Sequence, residues 1–473
     1  MTKDITLLLF AASLLGSCSD QLNEINQNPN ATENPQPAYL LTGVQKQGSD
    51  LYWGINSSIG STLLFVQHWA EIQYTTADRY DFSNSSEEIT HLWNTGYATL
   101  ITDLNTILDF PDETANPNYK GAALTLRSWV FLLLTDAYGD IPYKEVGKSL
   151  IPAYDAQKDV YTGLLSDLSQ AVGLLDASKG IIEGDLVYKG DISKWEKFAN
   201  SLKLRIALRI ADREDALAKQ TISALSPADL IGSNDEAFQL VYTSSPQHNP
   251  QAAAFDTRDD YRISKTLVDK LKVLSDPRLP IYAQLPSDNV TDYTGAGNGL
   301  SNADAVAQGL AKTSKPGAYF LSPNAPAVIY SYAEVLFNLA EAAARGYITG
   351  DAESYYKQAI TASLRQFGIT DATAIDEYLA QPAVQYNAES YKQSIGEQKW
   401  IAFFGQGLDA FAEWRRLDYP QLTPGPAAVL DGKIPLRLFY PGTEQSLNRV
   451  SRSAAVARQG EDLLTTKLWF DVN

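Results

Sequence analysis

A short stretch near the start of the chain combines the residue types that bind sugars. The sequence QHWAEIQYTTADRYDF places aromatic rings beside amide, guanidinium and carboxylate groups. Flat aromatic faces pack against the apolar C–H faces of sugar rings, and neighbouring polar groups hydrogen-bond the hydroxyls. The stretch therefore predicts an oligosaccharide-binding surface, although the same rings would also suit a core. Its candidate ligand contacts are Trp69, Gln73, Tyr74, Arg79 and Tyr80.

Two loop segments further along the chain carry the remaining candidates. The sequence DYTGAGNG surrounds Tyr293 and Asn298 with glycines, and a Pro-Gly dipeptide at 316–317 precedes Tyr319. Segments rich in glycine and proline run over the surface as loops, where side chains are able to meet ligands. Tyr293, Asn298 and Tyr319 are therefore added to the predicted ligand-binding residues.

Catalytic chemistry finds little support in the sequence. The chain has no GxSxG motif and no nucleotide-binding glycine-rich loop, and its histidines at positions 68, 91 and 248 lack metal-ligand spacing. We therefore expect no catalytic residue, no metal and no cofactor. Paired carboxylates could serve a glycosidase, and 56 acidic residues always offer some pair. An extracellular glycan hydrolase accordingly stays open as an alternative of another class.

Charge and cysteine content exclude two further classes. The formal net charge is −18, and a surface this acidic repels phosphate backbones, so no nucleic-acid partner is expected. The single cysteine, Cys18, permits neither an internal disulfide nor a thiolate metal cluster.

Cys18 follows an apolar run from Ile5 to Leu15. This run is too short to span a bilayer, which takes about 20 residues, but it has the length of the apolar part of a signal peptide. The sequence Leu-Gly-Ser-Cys at 15–18 resembles a bacterial lipobox, which predicts a signal peptide over 1–17, lipid attachment at Cys18 and a tether over 18–45. Cys18 could also be a small core residue, part of an ordinary signal that is cleaved nearby, or a chance occurrence.

Helical periodicity comes in pairs along most of the chain. In the clearest case, apolar residues share one helical face up to Gly346 and then another up to Gly368. Such a pair has the length of a tetratricopeptide unit, about 34 residues, although a generic helical bundle would give a similar pattern. The fold is therefore predicted to be mainly α, with four tetratricopeptide-like helix pairs over about 91–138, 154–211, 330–367 and 389–416.

Helical periodicity is poor in the rest of the chain. A loop-rich, partly β part is predicted over about 46–90, 212–326 and 418–473, which completes a single composite domain over 46–473. Within the second helix pair, the sequence IIEGDLVYKGD predicts a short hairpin around Gly184-Asp185.

Several segments, taken in order, resemble one protein family. The sequence LNEINQNPN is followed by PAYLL, and GDISKWEKFANSLKLRIALRIAD, SDPRLPIYA, YSYAEVLFNLAEAAARGY, WRRLDYP and IPLRLFYPGTEQSLN follow further along. Their order and spacing are similar to those of the SusD/RagB outer-membrane lipoproteins of Bacteroidetes, over nearly the whole chain. Within these motifs, Arg415, Arg416 and Arg437 are predicted to pair with carboxylates and so to hold the C-terminal part together.

The resemblance implies more than the residues alone predict. Members of the family carry a loop-rich half on four tetratricopeptide-like helix pairs, are anchored by lipid in the outer membrane and face the cell exterior. They capture oligosaccharides for a SusC-like TonB-dependent transporter, and they are not enzymes. Some members take peptides instead, so a peptide ligand stays open here, as does a purely structural or adhesion role.

Overall fold

The computed structural model describes residues 36–111, 116–243, 248–288 and 291–472. Cys18, the predicted signal peptide and most of the predicted tether lie outside the described residues. The chain is mainly helical, as the periodicity predicts. Its α-helices are α1 Pro37–Trp53, α2 Thr62–Phe65, α3 Glu87–Thr95, α4 Thr102–Leu108, α5 Pro117–Tyr138, α6 Gln157–Leu174, α7 Ile192–Ile210, α8 Asp215–Ser223, α9 Pro250–Thr257, α10 Lys265–Val273, α11 Leu279–Tyr282, α12 Asn302–Gln308, α13 Tyr332–Ala344, α14 Ala352–Gln366, α15 Ala372–Leu379, α16 Tyr391–Ala402, α17 Gly407–Leu417, α18 Glu444–Leu447 and α19 Arg449–Gln459.

The four predicted helix pairs are present. They are α3–α4 with α5, α6 with α7, α13 with α14, and α16 with α17. The first helix of the first pair is interrupted by a π-helical turn, Gly96–Ile101, which the apolar periodicity did not indicate. Its partner α5 begins at a proline behind the cap Asn116 and ends at Gly139, whose φ of +89° favours glycine.

Buried charged residues join the helix pairs across the core. Arg416 on α17 donates two hydrogen bonds of 2.6 Å to Glu341 on α13 and another of 2.7 Å to Glu413. Glu413 also accepts a 2.6 Å hydrogen bond from Lys399 on α16 and a shorter one from Arg209 on α7. All five side chains are almost completely buried. This cluster, here called the ionic core, therefore connects the second, third and fourth helix pairs.

Two of the three motif arginines pair with carboxylates as predicted, and the third does not. Arg416 pairs with Glu341, and Arg437 lies 3.1 Å from the Asp462 carboxylate. Arg415 makes a different set of bonds, because its guanidinium donates to the carbonyl oxygens of Phe411, Leu436 and Asp136. Its charge also lies 3.8 Å from the centre of the Phe411 ring. These contacts hold the C-terminal segments against the helix pairs.

Helix α1 lies between the pairs and corrects one prediction. The tether was expected to run to about residue 45, but the chain is helical from Pro37. The Tyr52 hydroxyl donates to the Asp409 carboxylate on α17, and the Trp53 indole donates to the Val328 carbonyl at 3.0 Å. A Pro-Ala-Tyr-Leu-Leu start suits a helix, since proline is favoured in the first turn.

The described residues contain three two-stranded antiparallel sheets, one of which lies between the first two helix pairs, and the loop-rich part contains more helix than predicted. The strands are β1 Trp69–Glu71, β2 Ile141–Pro142, β3 Tyr154–Asp155, β4 Phe238–Val241, β5 Tyr261–Ile263 and β6 Pro326–Tyr330, paired as β1 with β5, β2 with β3 and β4 with β6. Helices α8 to α12 fall within the segment predicted to be irregular, because each is short and carries few apolar residues in register.

The hairpin predicted around Gly184-Asp185 is absent, and turns occupy 183–190 instead. The Asp185 carboxylate organises these turns, because it accepts hydrogen bonds of 2.9–3.1 Å from the backbone N–H groups of Val187, Tyr188 and Gly190. It also accepts 2.7 Å and 2.9 Å bonds from the side chains of Gln45 on α1 and Trp195 on α7. An aspartate that satisfies local backbone donors favours turns over strands.

No helix among the described residues is long and apolar enough to cross a membrane.

Candidate ligand-binding surface

The loop that follows β1 carries four of the predicted site residues, Gln73, Tyr74, Arg79 and Tyr80. Strand β1 pairs with β5, with Trp69 opposite Ile263 and Glu71 opposite Tyr261. The chain then leaves the sheet through a series of turns over 73–80. Tyr74 and Tyr80 both adopt left-handed backbone conformations, with φ of +59° and +63°. These conformations turn the loop sharply enough to bring its two ends together.

Mutual hydrogen bonds close this loop. The Glu71 amide donates to the Asp78 carboxylate at 3.2 Å, and the Asp78 amide donates to the Glu71 carboxylate at 3.1 Å. The Asp78 carboxylate also accepts hydrogen bonds of 2.8 Å from the Asn298 side chain and 3.0 Å from the Gly299 amide. These four residues, here called the Asp78 junction, therefore join the loop to the glycine-rich segment 293–299.

Burial controls the charge of the junction. Burial raises the pKa of Glu71 to about 8, with a further increase from the nearby Asp78. Burial also raises the pKa of Asp78 to about 7, against the hydrogen bonds from Asn298 and Gly299. Asp260 faces Glu71 with the same sign, and Arg258 opposes it. The folded protein therefore holds at least one of the two carboxyls protonated near neutral pH.

This charge gives an expected pH dependence. The pKa of Glu71 is raised above the value of about 4.3 in an unfolded chain, so its contribution to stability is complete at acidic pH and is lost as pH rises through about 8. Glu71→Gln keeps an oxygen acceptor for the Asp78 amide and removes the titration. We expect the variant to be more stable than the parent by about 2–4 kcal/mol at pH 9, with a smaller difference at pH 5.

Urea unfolding of the parent and the variant at several pH values between 5 and 9 tests this dependence. Glu377→Gln, on an exposed face of α15, is the matched control and should track the parent at every pH. A stability difference for Glu71→Gln that does not change with pH would contradict the assigned protonation.

The structure brings part of the predicted site together at the surface. The Tyr74 side chain is 71% exposed, and its amide donates a 2.7 Å hydrogen bond to Asn302 at the start of α12. Gln73, Arg79 and Tyr293 are half-buried. The Asp78 junction links the segments that carry all four, which leaves aromatic and polar side chains accessible on both segments.

Burial in the core corrects the prediction for two ligand contacts, Trp69 and Tyr80. Trp69 is 0% exposed, and its ring packs against Phe404, Phe255 and Tyr261. The Tyr80 ring is 1% exposed and meets the edge of Phe65. These rings fill the core, as the competing interpretation allowed, because both faces of β1 are covered.

Asn298 is also mostly buried and has a supporting role. Its amide nitrogen donates to the Trp69 carbonyl at 2.7 Å as well as to Asp78, and its oxygen accepts a 2.5 Å hydrogen bond from the Ser264 hydroxyl. With these bonds made, Asn298 positions the glycine-rich segment rather than offering its side chain to a ligand.

Tyr319 packs elsewhere. Its ring lies 5.0 Å from the centre of the Phe320 ring and 5.4 Å from that of Phe367, at the end of α14. Burial raises the pKa of its hydroxyl to about 12. Tyr319 is half-buried, and these contacts attach it to the third helix pair.

Sequence reasoning missed the segment 423–429, which packs on the same surface. The Val429 amide donates to the Arg79 carbonyl at 3.0 Å, and the Ala427 amide donates to the Gly299 carbonyl at 2.8 Å. Gly299 and Gly425 cross so closely that a Cβ on Gly299 would lie 2.9 Å from the Gly425 Cα. The only sequence signal is the Pro-Gly-Pro at 424–426, which predicts a turn but does not indicate which part of the chain the turn packs against.

The accessible side chains of this surface are able to bind a ligand through noncovalent contacts. The exposed Tyr74 ring offers an apolar face, and Gln73 and Arg79 offer hydrogen-bond donors. Two carboxyls of this loop, Glu71 and Asp78, are buried and bonded to backbone amides, whereas the Asp81 carboxylate is exposed and lies 3.9 Å from the Arg79 guanidinium. Over the described residues, no group of three or more His, Cys, Asp or Glu side chains could hold a metal ion.

Comparisons with known proteins agree on one relationship. Residues 29–441 match the profile of the SusD-like family described as starch-binding and associating with the outer membrane. A solved chitin-binding protein is 30% identical, with a TM-score of 0.83, over 93% of this chain and 100% of its own. A SusD-like protein from Bacteroidetes AC2a is 26% identical, with a TM-score of 0.81, over 93% of this chain and 100% of its own.

A third solved structure shows the same fold at lower identity. The chitin-binding SusD homologue from Flavobacterium johnsoniae is 24% identical, with a TM-score of 0.82, over 92% of this chain and 98% of its own. A search of curated protein sequences gives no match.

Proposed function

The chain belongs to the SusD-like family of starch-binding proteins that associate with the outer membrane, and from this membership we propose that it is a cell-surface lipoprotein that captures oligosaccharides. We further propose that it delivers them to a SusC-like TonB-dependent transporter. The family consists of binding proteins, and the accessible side chains around the Asp78 junction suit binding rather than turnover.

The observation that carries the ligand class is the exposure of Tyr74 beside the Asp78 junction. A ring that is 71% exposed on a loop held by buried hydrogen bonds offers a rigid apolar face to solvent. Such a face packs on sugar rings at little entropic cost, because the loop is already ordered. The chitin-binding neighbour supports a β-linked amino-sugar polymer as the first ligand to test.

We expect Tyr74→Ala to weaken binding of chitin oligosaccharides about tenfold, which corresponds to about 1.4 kcal/mol of lost stacking. Isothermal titration calorimetry with chitohexaose, with maltohexaose in parallel, measures the loss. The free energy of unfolding should be unchanged in this variant, because the Tyr74 ring lies outside the core.

Tyr39→Ala is the matched control, because that ring is 75% exposed on α1, away from the Asp78 junction. Equal affinities for Tyr74→Ala and the parent would reject the surface as the binding site. The alternative function, a glycan hydrolase, would be favoured if the protein released shorter sugars from the oligosaccharide and if substitution of one carboxylate abolished that release. Binding of peptides and not of sugars would favour the peptide ligand.

Lipid attachment is expected at Cys18, which lies outside the described residues. Replacing Cys18 with serine removes the only thiol, and two or more acyl chains are what anchor a protein stably. In cells that express Cys18→Ser, the protein should appear in the soluble fraction and lose its lipid, as judged by mass spectrometry. A variant that remained in the membrane pellet with its lipid would refute the anchor.

The transporter is tested by its copurification. A tagged full-length chain, extracted from outer membranes in mild detergent, should retain a large β-barrel protein. If no barrel copurifies under conditions that preserve oligosaccharide binding, the proposed delivery to a transporter is wrong, while the binding function stands.

A further inference from the structure

A concave surface lies on the fourth helix pair and extends to α10. It consists of two adjoining cavities of about 510 and 410 Å³, within the range of about 300–1,000 Å³ that is usual for ligand sites. Gln393, Tyr419 and Gln421 line both cavities, so the two form one continuous groove. We name it the Tyr419 groove.

The groove is built by a close approach of backbone to helix. The segment that follows α17 runs over α16 at Gly396, where an added Cβ would lie 2.9 Å from the Tyr419 Cβ. This contact places the half-buried Tyr419 side chain between the two cavities. Trp400 lines the larger cavity, and its indole nitrogen donates to the Val66 carbonyl at 2.9 Å, which fixes the ring.

The charges in the larger cavity cancel each other. Lys270 pairs with Glu397, and Asp269 pairs with Lys265, in each case within hydrogen-bond distance. The uncharged side chains that line both cavities are the half-buried Tyr419 ring and the exposed amides of Gln393 and Gln421, whose nitrogens donate to the Glu397 carboxylate and the Asp418 carbonyl. Amides beside aromatic faces suit a neutral ligand that has hydroxyl groups and apolar C–H faces.

Helix α10 connects this groove to the Tyr74 surface. Its residue Thr266 lines the larger cavity and donates a 2.6 Å hydrogen bond to Gln67, two residues before β1. At its other end, Lys272 donates a 2.7 Å hydrogen bond to Asp292, the neighbour of Tyr293. Helix α10 has nine residues and is therefore about 13 Å long, so the groove and the Tyr293 segment lie at the two ends of this one short helix.

We infer that the Tyr419 groove is a second oligosaccharide-binding site, which holds a distant part of a long sugar chain whose other part contacts the Tyr74 surface. The inference rests on the proposed function for its ligand class and adds a site with its own residues. Long oligosaccharides then bind more tightly than short ones because they contact both surfaces.

Calorimetry with a length series of chitin oligosaccharides, from dimer to hexamer, tests the inference on the full chain. We expect Tyr419→Ala to lower the affinity for the hexamer at least fivefold. Its affinity for the dimer should stay within twofold of that of the parent. The double variant Gln393→Ala/Gln421→Ala changes only exposed side chains and should act in the same direction. Tyr355→Ala, a half-buried tyrosine on α14, is the control and should match the parent.

Hydrogen–deuterium exchange locates the contact independently of affinity. Saturating hexamer should protect the segments 391–397 and 417–423 as well as 72–80, whereas the dimer should leave the first two unprotected. Unchanged hexamer affinity in both groove variants, or protection confined to 72–80, would overturn the second site while the proposed function stood. Absence of binding at every length would overturn both, and protection of the groove by casein peptides alone would assign it to another ligand.

Discussion

Replacing Arg416 with methionine is expected to lower the free energy of unfolding by about 3–5 kcal/mol, because one partner of a buried charge cluster is removed. Burial by itself raises the pKa of Glu341, but Arg416 and then Arg345 outweigh it and hold that pKa below its usual value. The pKa of Glu413 is held well below its usual value by Arg416, Lys399 and Arg209, against its own burial. Without Arg416, these carboxylates keep their negative charge with less compensation.

Urea unfolding at pH 7, followed by far-ultraviolet circular dichroism, measures the loss. Arg365→Met on the exposed face of α14 is the matched control and should change stability by less than about 0.5 kcal/mol. The double variant Arg416→Met/Glu341→Gln should recover part of the loss, since it removes one of the uncompensated charges. A loss under 1 kcal/mol for Arg416→Met would mean that the ionic core adds little to stability.

The second large effect is expected at Asp185. Asp185→Ala leaves five donors without an acceptor, namely the side chains of Gln45 and Trp195 and the amides of Val187, Tyr188 and Gly190. Each buried donor left unpaired costs about 1–3 kcal/mol before relaxation. Because the 183–190 turns lie near the surface and are able to relax toward water, we expect a net loss of about 3–4 kcal/mol.

Asp191→Ala provides a matched control six residues along the chain. Asp191 caps α7 by accepting from the Ser193 and Lys194 amides, and loss of such a cap costs about 1 kcal/mol. Thermal unfolding of the parent and both variants should therefore give a clearly lower stability for Asp185→Ala than for Asp191→Ala. An equal loss at both positions would show that Asp185 only caps a turn and does not join α1 to α7.

The helical scaffold was predictable because its signal is local. The stripe from Trp195 to Ile210 repeats at helical spacing, and α7 buries that face. The same holds for α13 and α14, where periodicity located both helices. The helices in the loop-rich part were not predicted because they are short. A helix of nine residues, such as 265–273, completes only about two turns, which is too few to show a clear apolar periodicity.

The candidate surface was predictable only in part. The sequence identified Tyr74 and Tyr80 equally, and both have left-handed backbones, yet one ring is 71% exposed and the other 1%. The difference arises from Phe65 on α2, which covers Tyr80, and such a contact leaves no trace in local spacing. The bond between Asp78 and Asn298 spans 220 positions, so no local pattern indicates it.

Helix α1 has a consequence for how the chain acquires its structure. It precedes the other described helices in the chain, yet the Tyr52 hydroxyl bonds to Asp409, 357 positions later, and the Trp53 indole bonds to Val328, 275 positions later. Contacts of such high contact order form slowly, because long loops must close before they contribute. The apolar side of α1 therefore stays uncovered until nearly the whole chain has been synthesised. A truncation that ends before α17 should expose that side and aggregate rather than fold into a smaller domain.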